Sequence, residues 1–449
     1  MKAKMIYTNK DHLRAEENVF SALSVPGVRH FSVLEPCNSG FMGFGVAITP
    51  SSCYELMRMD PAERKQLLRK IYAKDGEIGL SVARLCIGSS DYSAEIYSYD
   101  DVAFDTELKH FSIAKDEEYV IPIIKEILEI RPDLFFFASP WSPPYWMKTG
   151  GSMCGGYMRR EFLDCYAEYI VKFVEAFAAH GIHVSALTPQ NEPNTQQNSR
   201  MPACIWHPED EAAYIKILKK KLTEKGLKTK IWMYDHNFLD INRVLWSLEN
   251  CEGLAESCDG VAFHYYAGSI ELTQVLKEKY PNLELHFSEG GPRLKDHYDT
   301  DWCKWGLMMI KALKMGYSSF TGWNLMLSET GGPNVGPFLG TCGGLVTNDH
   351  RTDERVFSGQ YKAFAQIVPY VTKDAVIRPI KEDAMFNLNV SKFPAHEMMV
   401  EGVIIERPGH SKVAIIVNPN SGKMQTQLEL DGNIWYLELQ EDSVSTIIF

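Results

Sequence analysis

Short apolar segments alternate with longer amphipathic segments from about residue 41 to residue 370. Eight of the short segments are rich in β-branched and aromatic residues, and most are almost continuously apolar. Runs of this kind are typical of parallel strands that are buried on both faces of a sheet. We therefore predict eight strands, at residues 43–48, 81–87, 134–139, 184–190, 230–235, 261–266, 284–289 and 318–324.

The segments between these strands carry the signals of helix ends. Asp60 and Pro61 suit the N-cap and first turn of one helix, which Gly76 would close. Residues 160–180 place aromatic side chains at helical spacing and stop at Gly181. Eight strands alternating with helices predict an α/β protein with a (β/α)8 TIM barrel. A doubly wound open sheet is the alternative, but no Gly-x-Gly-x-x-Gly motif follows the first strand.

The sequence changes character from about residue 373 onward. Short strand-like segments are separated there by Pro-Gly, Asn-Pro-Asn-Ser-Gly and Asp-Gly turns. We predict strands at residues 375–390, 398–406, 412–417, 425–430, 434–439 and 444–449. The first 40 residues lack helical periodicity and could add strands to the same module. The predicted layout is an antiparallel β-sandwich side domain from residues 1–40 and 373–449, with the barrel at residues 41–372.

Composition excludes several classes of protein. Hydrophobic residues make up 45% of the chain and charged residues 23%, as in ordinary globular proteins rather than disordered or fibrous chains. The 46 Lys and Arg stand against 58 Asp and Glu, which gives a net charge of −12. Because no dense basic run breaks this acidity, a nucleic-acid partner is not expected. Apolar runs stay below the length of about 18 residues that a membrane span requires.

The chain ends and cysteines bear on compartment and metal binding. The N-terminus has no apolar run of the kind found in secretory signals, which predicts a cytoplasmic protein. The ten cysteines form no Cys-x-x-Cys pair and are expected to be reduced thiols rather than zinc ligands. A metal held by Asp235, His236, His264 and Glu289 is disfavoured, because no His-x-His or His-Glu-x-x-His motif occurs. We expect no metal and no other cofactor.

Two glutamates end predicted barrel strands on the same rim. The fourth strand runs into Asn191-Glu192-Pro193, and the seventh ends at Glu289. Active sites of (β/α)8 barrels form at the C-terminal ends of the strands. A single Glu at a strand end more often caps a helix or pairs with a cation. Two on one rim favour glycoside hydrolysis, in which one carboxyl group acts as acid/base and the other as nucleophile.

Longer motifs accompany these glutamates along nearly the whole chain. They are GFGVAIT at residues 43–49, ARLCIGSSDYS at 83–93, ASPWSPPYWMKT at 138–149, NEP at 191–193, HYY at 264–266, SEG at 288–290, GWNL at 322–325 and GGPN at 331–334. Together they resemble glycoside hydrolase family 30, the family of lysosomal glucosylceramidase. The resemblance is closer to the glucosylceramidase-like branch than to the xylanase branch.

The resemblance assigns roles around the two carboxylates. It implies that Glu192 is the acid/base, that Glu289 is the nucleophile, and that Asn191 binds the sugar 2-hydroxyl. Arg84 and His264 match positions that flank the nucleophile. A nearby arginine would keep Glu289 ionised, whereas less solvated surroundings would keep Glu192 protonated.

The resemblance also implies a set of sugar contacts. Asp91 and Trp141 match residues that hold the outer hydroxyls of the glycone, and Tyr266 and Trp323 match aromatic residues around the first subsite. In related barrels the backbone is often strained at the position of the Trp323–Asn324 peptide, so a cis bond is expected there.

Other readings of individual residues stay open at this point. Arg84 could form a structural ion pair, His264 could be a core histidine, and the tryptophans could simply pack the rim. Asp235 ends the fifth predicted strand and is assigned no role. Cys342 departs from the glucosylceramidase pattern, so sugar contacts of the last barrel loop are not carried over.

The sequence thus predicts a retaining, exo-acting β-glycosidase whose partner is a small-molecule or oligosaccharide β-glycoside. The resemblance implies a β-glucose glycone and glucosylceramidase-like activity, and with it a place in sphingolipid metabolism. The alternatives within the family are a β-xylosidase, a β-fucosidase and an endo-β-1,6-glucanase. The alternative outside enzymes is an inactive carbohydrate-binding barrel.

Overall fold

The computed structural model describes residues 1–195, 197, 199–382 and 399–449. The chain forms two compact units. One consists of Met1–Gly43, Asp296–Ser318 and Phe357–Phe449, and the other of Phe44–Lys295 and Ser319–Val356. The first unit therefore draws on both termini and on a central segment.

The strands of the described residues, in chain order, are β1 (Lys2–Thr8), β2 (Ala15–Ala22), β3 (Arg29–Val33), β4 (Asn38–Ser39), β5 (Gly43–Ile48), β6 (Val82–Ile87), β7 (Phe135–Pro140), β8 (Cys154–Tyr157), β9 (Val184–Leu187), β10 (Ala203–Ile205), β11 (Lys230–Asn237), β12 (Gly260–His264), β13 (Glu284–Glu289), β14 (Ser319–Asn324), β15 (Met326–Ser328), β16 (Val346–Asp349), β17 (Glu354–Phe357), β18 (Val376–Glu382), β19 (Glu401–Glu406), β20 (Val413–Asn418), β21 (Met424–Leu430), β22 (Asn433–Leu439) and β23 (Ser443–Ile448).

The helices are α1 (Pro50–Met57), α2 (Pro61–Tyr72), α3 (Ala114–Glu117), α4 (Val120–Ile130), α5 (Leu163–Ala179), α6 (Pro208–Glu224), α7 (Ile241–Asn250), α8 (Leu254–Ser257), α9 (Gln274–Lys279), α10 (Trp302–Lys314) and α11 (Gly359–Ile367). As predicted, the Asp60 side chain caps α2 by accepting hydrogen bonds from the backbone N–H groups of Ala62 and Glu63. None of the helices in the described part of the chain combines the length and apolar composition of a membrane span.

A closed barrel of eight strands forms the centre of the larger unit, which confirms the predicted TIM barrel. Its strands are β5, β6, β7, β9, β11, β12, β13 and β14. The described pairings between neighbours are parallel. β5, β6, β12 and β14 are buried at every position, as the continuous apolar runs predicted. β5 and β13 coincide with their predicted bounds, and the other barrel strands differ from theirs by a few residues.

Apolar and aromatic side chains fill the middle of the barrel, whereas polar side chains gather at its C-terminal end. Phe287 and Phe320 stack with their ring centres 4.0 Å apart, and Trp232 stacks on His286 at 3.5 Å. The barrel interior is therefore a packed core rather than a channel. The open space begins where the strands end, which places the predicted site residues around a single mouth.

The smaller unit contains a ten-stranded sheet in the order β19-β20-β23-β1-β2-β22-β21-β3-β18-β4, with β18 also paired to β19. Its described pairings are antiparallel except for the parallel pair of β3 and β21. The N-terminal residues contribute strands to this sheet, as expected, and β1 lies between β2 and β23. The predicted strand at residues 375–390 is observed as β18 up to Glu382, and its remainder lies outside the described residues.

The backbone next to the barrel mouth differs from one expectation. Within the described residues the cis peptide bond is Gly332–Pro333, and the Trp323–Asn324 peptide is trans. The expectation of a cis bond at Trp323 was therefore wrong. A trans bond avoids the cost of about 3–4 kcal/mol of a cis non-proline peptide.

Candidate active site

Glu192 and Glu289 lie on the wall of one cavity at the C-terminal end of the barrel strands. Glu289 is the last residue of β13, and Glu192 follows β9. One carboxylate oxygen of each glutamate lies within 4.8 Å of the other and of a ring nitrogen of His264. The cavity encloses about 410 Å³. Its further lining includes Asp91, Tyr92, Trp141, Asn191, Asn194, His236, Asp240, Tyr266, Arg293, Trp323 and Cys342.

The backbone after β9 aims Glu192 into this cavity. Glu192 has a φ of 51°, in the left-handed region that a residue other than glycine rarely adopts. Two hydrogen bonds hold the turn: the Asn191 N–H donates to the Pro140 carbonyl at 2.8 Å, and the Glu192 N–H donates to the Asp235 carbonyl at 3.0 Å. Strained backbone of this kind is typical of functional sites.

Asp235 occupies the centre of the polar cluster beneath the cavity. It is the extra residue of a β-bulge in β11, between Tyr234 and His236, and its φ is 65°. Bulges next to active sites redirect side chains, and this one turns a carboxylate into the barrel. The side chain of Asp235 is completely buried.

Five donors from five other barrel segments satisfy the Asp235 carboxylate. Its Oδ1 accepts from the Ser288 hydroxyl at 2.6 Å and lies 3.1 Å from Nε2 of His264. Its Oδ2 accepts from the Arg84, Ser139 and Thr188 side chains at 2.8, 2.8 and 2.7 Å. Burial acts to raise the pKa of Asp235, but Arg84, His264 and Ser288 together lower it far below its ordinary value.

The Arg84 guanidinium contacts Glu289, Asn191 and Asp235 at the same time. Its Nη1 donates to Oε2 of Glu289, and its Nη2 donates to Asn191 Oδ1 at 2.7 Å as well as to Asp235. The guanidinium lies over Trp141 and Trp323, 4.8 Å and 5.3 Å from their ring centres. Arg84 thus forms a buried ion pair, and that ion pair is part of the site.

His264 bridges the carboxylates. Its Nδ1 lies 3.2 Å from Oε1 of Glu192, its Nε2 lies 3.1 Å from Oδ1 of Asp235, and Oε2 of Glu289 is 3.8 Å from Nε2. Burial lowers the pKa of His264, but the surrounding carboxylates outweigh it and raise the pKa to about 9. The imidazole is therefore charged at neutral pH. Glu192, His264 and Glu289 bring one donor atom each within 4.8 Å of one another, and they could hold a metal ion only after the imidazole gives up its proton.

The electrostatics of Glu192 differ from the expectation. Burial raises its pKa, but His236 and His264 lower it by more, to about 2. The prediction that poorly solvated surroundings keep Glu192 protonated was therefore wrong for the site without substrate. The compensating histidines come from β11 and from the end of β12, which are distant from Glu192 in sequence.

Aromatic side chains form one side of the cavity. Trp141 and Trp323 stack with their ring centres 5.3 Å apart, and only 1% and 3% of their surfaces are exposed. The Tyr266 hydroxyl donates to Oε1 of Glu289 at 2.9 Å. Asp91 is buried beside them, and burial, followed by Glu289 and Glu192, raises its pKa well above the ordinary value.

The cavity lining also contains a group of polar side chains. The Asn194 amide donates to Oδ2 of Asp240 at 2.7 Å, and its carbonyl oxygen contacts Nδ1 of His236. Nε2 of His236 lies 3.5 Å from Oε1 of Glu192. Asn237 also lines this side. The cavity lining around the two glutamates is therefore both aromatic and polar.

The structure brings all nine of the predicted site residues to this cavity or directly behind it. Seven line the cavity: Asp91, Trp141, Asn191, Glu192, Tyr266, Glu289 and Trp323. Arg84 and His264 have no exposed side-chain surface and contact the carboxylates from behind. Their position implies that they act on the carboxylates and not directly on a sugar.

Sequence reasoning missed the role of Asp235 and of the hydroxyls around it. Ser139, Thr188 and Ser288 each stand at or near the end of an apolar barrel strand, where a small polar residue is unexpected. That pattern is the signal that could have pointed to a buried acceptor. Cys342 also lines the cavity, but burial raises the pKa of its thiol to about 11, which disfavours a nucleophilic thiolate.

Comparison with known proteins identifies the family. The glycosyl hydrolase family 30 TIM-barrel domain matches residues 41–339, which is more than half of the chain. The chain belongs to glycosyl hydrolase family 30. The match covers every barrel strand described above and both cavity glutamates.

The relatives within family 30 include proteins named as glucosylceramidases and proteins named as endo-1,6-beta-glucanases. The chain is 31% identical over 322 residues to putative glucosylceramidase 4 of Caenorhabditis elegans, a match that covers 66% of this chain and 60% of that protein. It is 28% identical over 347 residues to an endo-1,6-beta-D-glucanase of Neurospora crassa, covering 75% and 71%. The chain thus spans 60% of the length of the first of these relatives.

A solved structure is similar over its full length. The crystal structure of SrfJ from Salmonella typhimurium superimposes with a TM-score of 0.88 at 25% sequence identity, and the match covers 100% of this chain and 99% of SrfJ. Both units of the present chain therefore have counterparts in that protein.

Proposed function

We propose that this family 30 protein is a retaining β-glycosidase. The spacing of the two glutamates carries the proposal, because one carboxylate oxygen of each lies within 4.8 Å of the other. Retaining glycosidases hold their carboxyl groups about 5–5.5 Å apart, whereas inverting enzymes hold them about 6.5–9.5 Å apart to admit a water molecule. The observed spacing supports direct attack by one glutamate on the sugar.

The contacts of the two glutamates support different roles in this reaction. Glu289 is held by Arg84 and Tyr266, which orient its carboxylate as a nucleophile for the anomeric carbon. Glu192 stands across the cavity and protonates the leaving oxygen as the C–O bond breaks. In the second step Glu192 removes a proton from water, which attacks the glycosyl-enzyme and releases the sugar with retained configuration. The Asn191 carbonyl oxygen is engaged by Arg84, so its amide N–H groups remain to bind a sugar hydroxyl.

The favoured substrate is a β-glucoside that is cleaved from its non-reducing end. The enclosed side of the cavity supports exo action, since Asp91, Trp141 and Trp323 are almost completely buried around the space next to Glu289. The glucosylceramidase name of the Caenorhabditis elegans relative supports glucose as the glycone. β-Xylosides and β-fucosides are the other glycones to test.

A second candidate is hydrolysis of β-1,6-glucan. The polar side chains of Asn194, Asn237 and Asp240 in the cavity lining favour a leaving group rich in hydroxyls over a lipid. The name of the Neurospora crassa relative points in the same direction. Both candidate reactions use the same two carboxylates, and their substrates differ in the leaving group on the far side of the scissile bond.

Stereochemistry tests the proposal. The protein is incubated with 4-nitrophenyl β-glucoside, β-xyloside and β-fucoside, and the first-formed anomer is followed by proton NMR. We expect fastest turnover of the β-glucoside and initial appearance of β-glucose. Initial appearance of α-glucose would overturn the retaining mechanism. The products from β-1,6-linked oligosaccharides then separate exo action, which releases glucose alone, from endo action, which also releases longer fragments.

A further inference from the structure

We infer that Asp235, His264 and Glu192 form a proton-holding chain, in which His264 stores the proton that Glu192 delivers to the leaving group. The inference rests on the proposed function and adds two positioning residues, His264 and Asp235, that act through Glu192. Neither is needed to bind the sugar, since both lie behind the cavity wall.

The two nitrogens of His264 are both committed to carboxylates. Nε2 faces Oδ1 of Asp235 at 3.1 Å, and Nδ1 faces Oε1 of Glu192 at 3.2 Å. Because a carboxylate only accepts, the Asp235 contact fixes the Nε2–H proton. Nδ1 is then the nitrogen that can exchange a proton, and its partner is Glu192.

Burial closes every other route for that proton. The side chains of His264 and Asp235 are 0% exposed, whereas Glu192 is 16% exposed and faces the cavity. A proton on Nδ1 can therefore reach the cavity only through Glu192. The arrangement separates the atom that stores the proton, Nδ1, from the carboxylate that delivers it.

The charged groups around His264 explain why the proton resides there before substrate binds. Asp235 and His236 of β11, Glu289 of β13 and Glu192 after β9 all face the ring, with His236 edge-on at 5.9 Å between ring centres. Tyr266 is also edge-on to the ring, at 6.1 Å. Three carboxylates are thus balanced by Arg84, which binds two of them, and by the imidazolium.

The proton balance of the reaction closes within the chain. The Glu192 carboxylate takes the Nδ1 proton of His264 at Oε1 and passes one proton to the leaving oxygen as the glycosidic C–O bond breaks and Glu289 forms the bond to the anomeric carbon, so Glu192 ends the step as a carboxylate. His264 is then neutral and keeps its Nε2–H on Asp235. In the second step water gives a proton to Glu192, which passes it back to Nδ1, and the hydroxide replaces Glu289 at the sugar.

A leaving-group series tests the inference, because only poor leaving groups need a proton. We expect His264→Gln to lower kcat/KM about 100-fold on methyl β-glucoside, within the range of general acid catalysis, and less than about 3-fold on 2,4-dinitrophenyl β-glucoside. His180→Gln is the matched control, since His180 pairs with Glu117 at 3.0 Å, neither residue lines the cavity, and the substitution should change neither rate. Equal losses on both substrates would show a merely structural role and would overturn the inference.

A pH profile of the unmodified protein keeps the test independent of how the variants fold. On methyl β-glucoside we expect kcat/KM to fall as the pH rises through the range in which His264 loses its proton. On the dinitrophenyl glucoside that alkaline limb should be absent, and Asp235→Asn should move it to lower pH on the methyl glucoside. The same alkaline limb on both substrates would contradict the proton chain while leaving the proposed function intact. A protein that turns over neither substrate would overturn both.

Discussion

Nη2 of Arg84 lies 2.8 Å from Oδ2 of Asp235, and neither side chain has any exposed surface. Arg84 also holds the nucleophile Glu289, and Asp235 also holds His264, which in turn contacts Glu192. The ion pair therefore connects the contacts of Glu289 with those of Glu192. The two carboxylates of the site therefore share one buried electrostatic support.

Removal of the Arg84 charge should destabilise the fold. Arg84→Met leaves Asp235 and Glu289 buried beside each other without their cation, and such a loss costs about 3–5 kcal/mol. Urea denaturation measures the change in the free energy of unfolding. Arg69→Met is the control, because Arg69 and its partner Asp75 are largely exposed and their pair is worth at most about 1 kcal/mol. Equal effects of the two substitutions would show that the buried network contributes no special stability.

The nucleophile can be neutralised without changing its shape. Glu289→Gln keeps the shape of the side chain. Its amide oxygen can still accept from Arg84 and its NH2 group can donate to the Tyr266 hydroxyl oxygen, so the protein should fold with little change in Tm. Turnover of 4-nitrophenyl β-glucoside should fall by about 10⁴-fold or more, as for the loss of other covalent nucleophiles. Rates close to those of the unmodified protein would mean that another group attacks the sugar.

Loss of the acid/base should be selective and chemically rescuable. Glu192→Ala still allows the first step on a dinitrophenyl glucoside, whose leaving group needs no proton, but slows release of the sugar. Azide fits the space left by the carboxylate and should restore turnover, with β-glucosyl azide as the product identified by NMR. An α-glucosyl azide would show that the reaction does not proceed through two inversions.

Acid should destabilise the unmodified protein more than an Asp235 variant. The contacts of Asp235 hold its folded pKa below the unfolded value of about 3.9, so its contribution is complete above that pH and is lost as the pH falls. Between pH 6 and pH 3, the free energy of unfolding should therefore fall more steeply for the unmodified protein than for Asp235→Asn. Parallel curves would indicate that Asp235 has an ordinary pKa in the fold.

The sequence was sufficient to predict the architecture because both faces of the barrel strands are buried. Continuous apolar runs located β5 and β13 to the residue, and turn motifs located β19 to β23 of the smaller unit to within a few residues. The two glutamates were visible for the same reason, since each ends such a run. These signals are local in the sequence, so they can be recognised without knowing which strands pair.

The electrostatics of the site could not be predicted in the same way. Asp235 acquires its role from donors on β6, β7, β12 and β13 and after β9, and its side chain points inward only because of a bulge in β11. Glu192 was expected to be protonated because its surroundings were expected to be poorly solvated. The histidines that reverse this come from other strands and become neighbours only when the barrel closes.

The most direct test of the account is to trap the covalent intermediate. The protein is treated with 2,4-dinitrophenyl 2-deoxy-2-fluoro-β-glucoside, which forms the glycosyl-enzyme quickly and releases it slowly, and the labelled residue is located by peptide mass spectrometry. We predict one fluoroglucosyl group per chain, attached to Glu289, and no label on Glu289→Gln. Labelling at a different residue, or turnover of the reagent without any covalent species, would contradict the retaining mechanism.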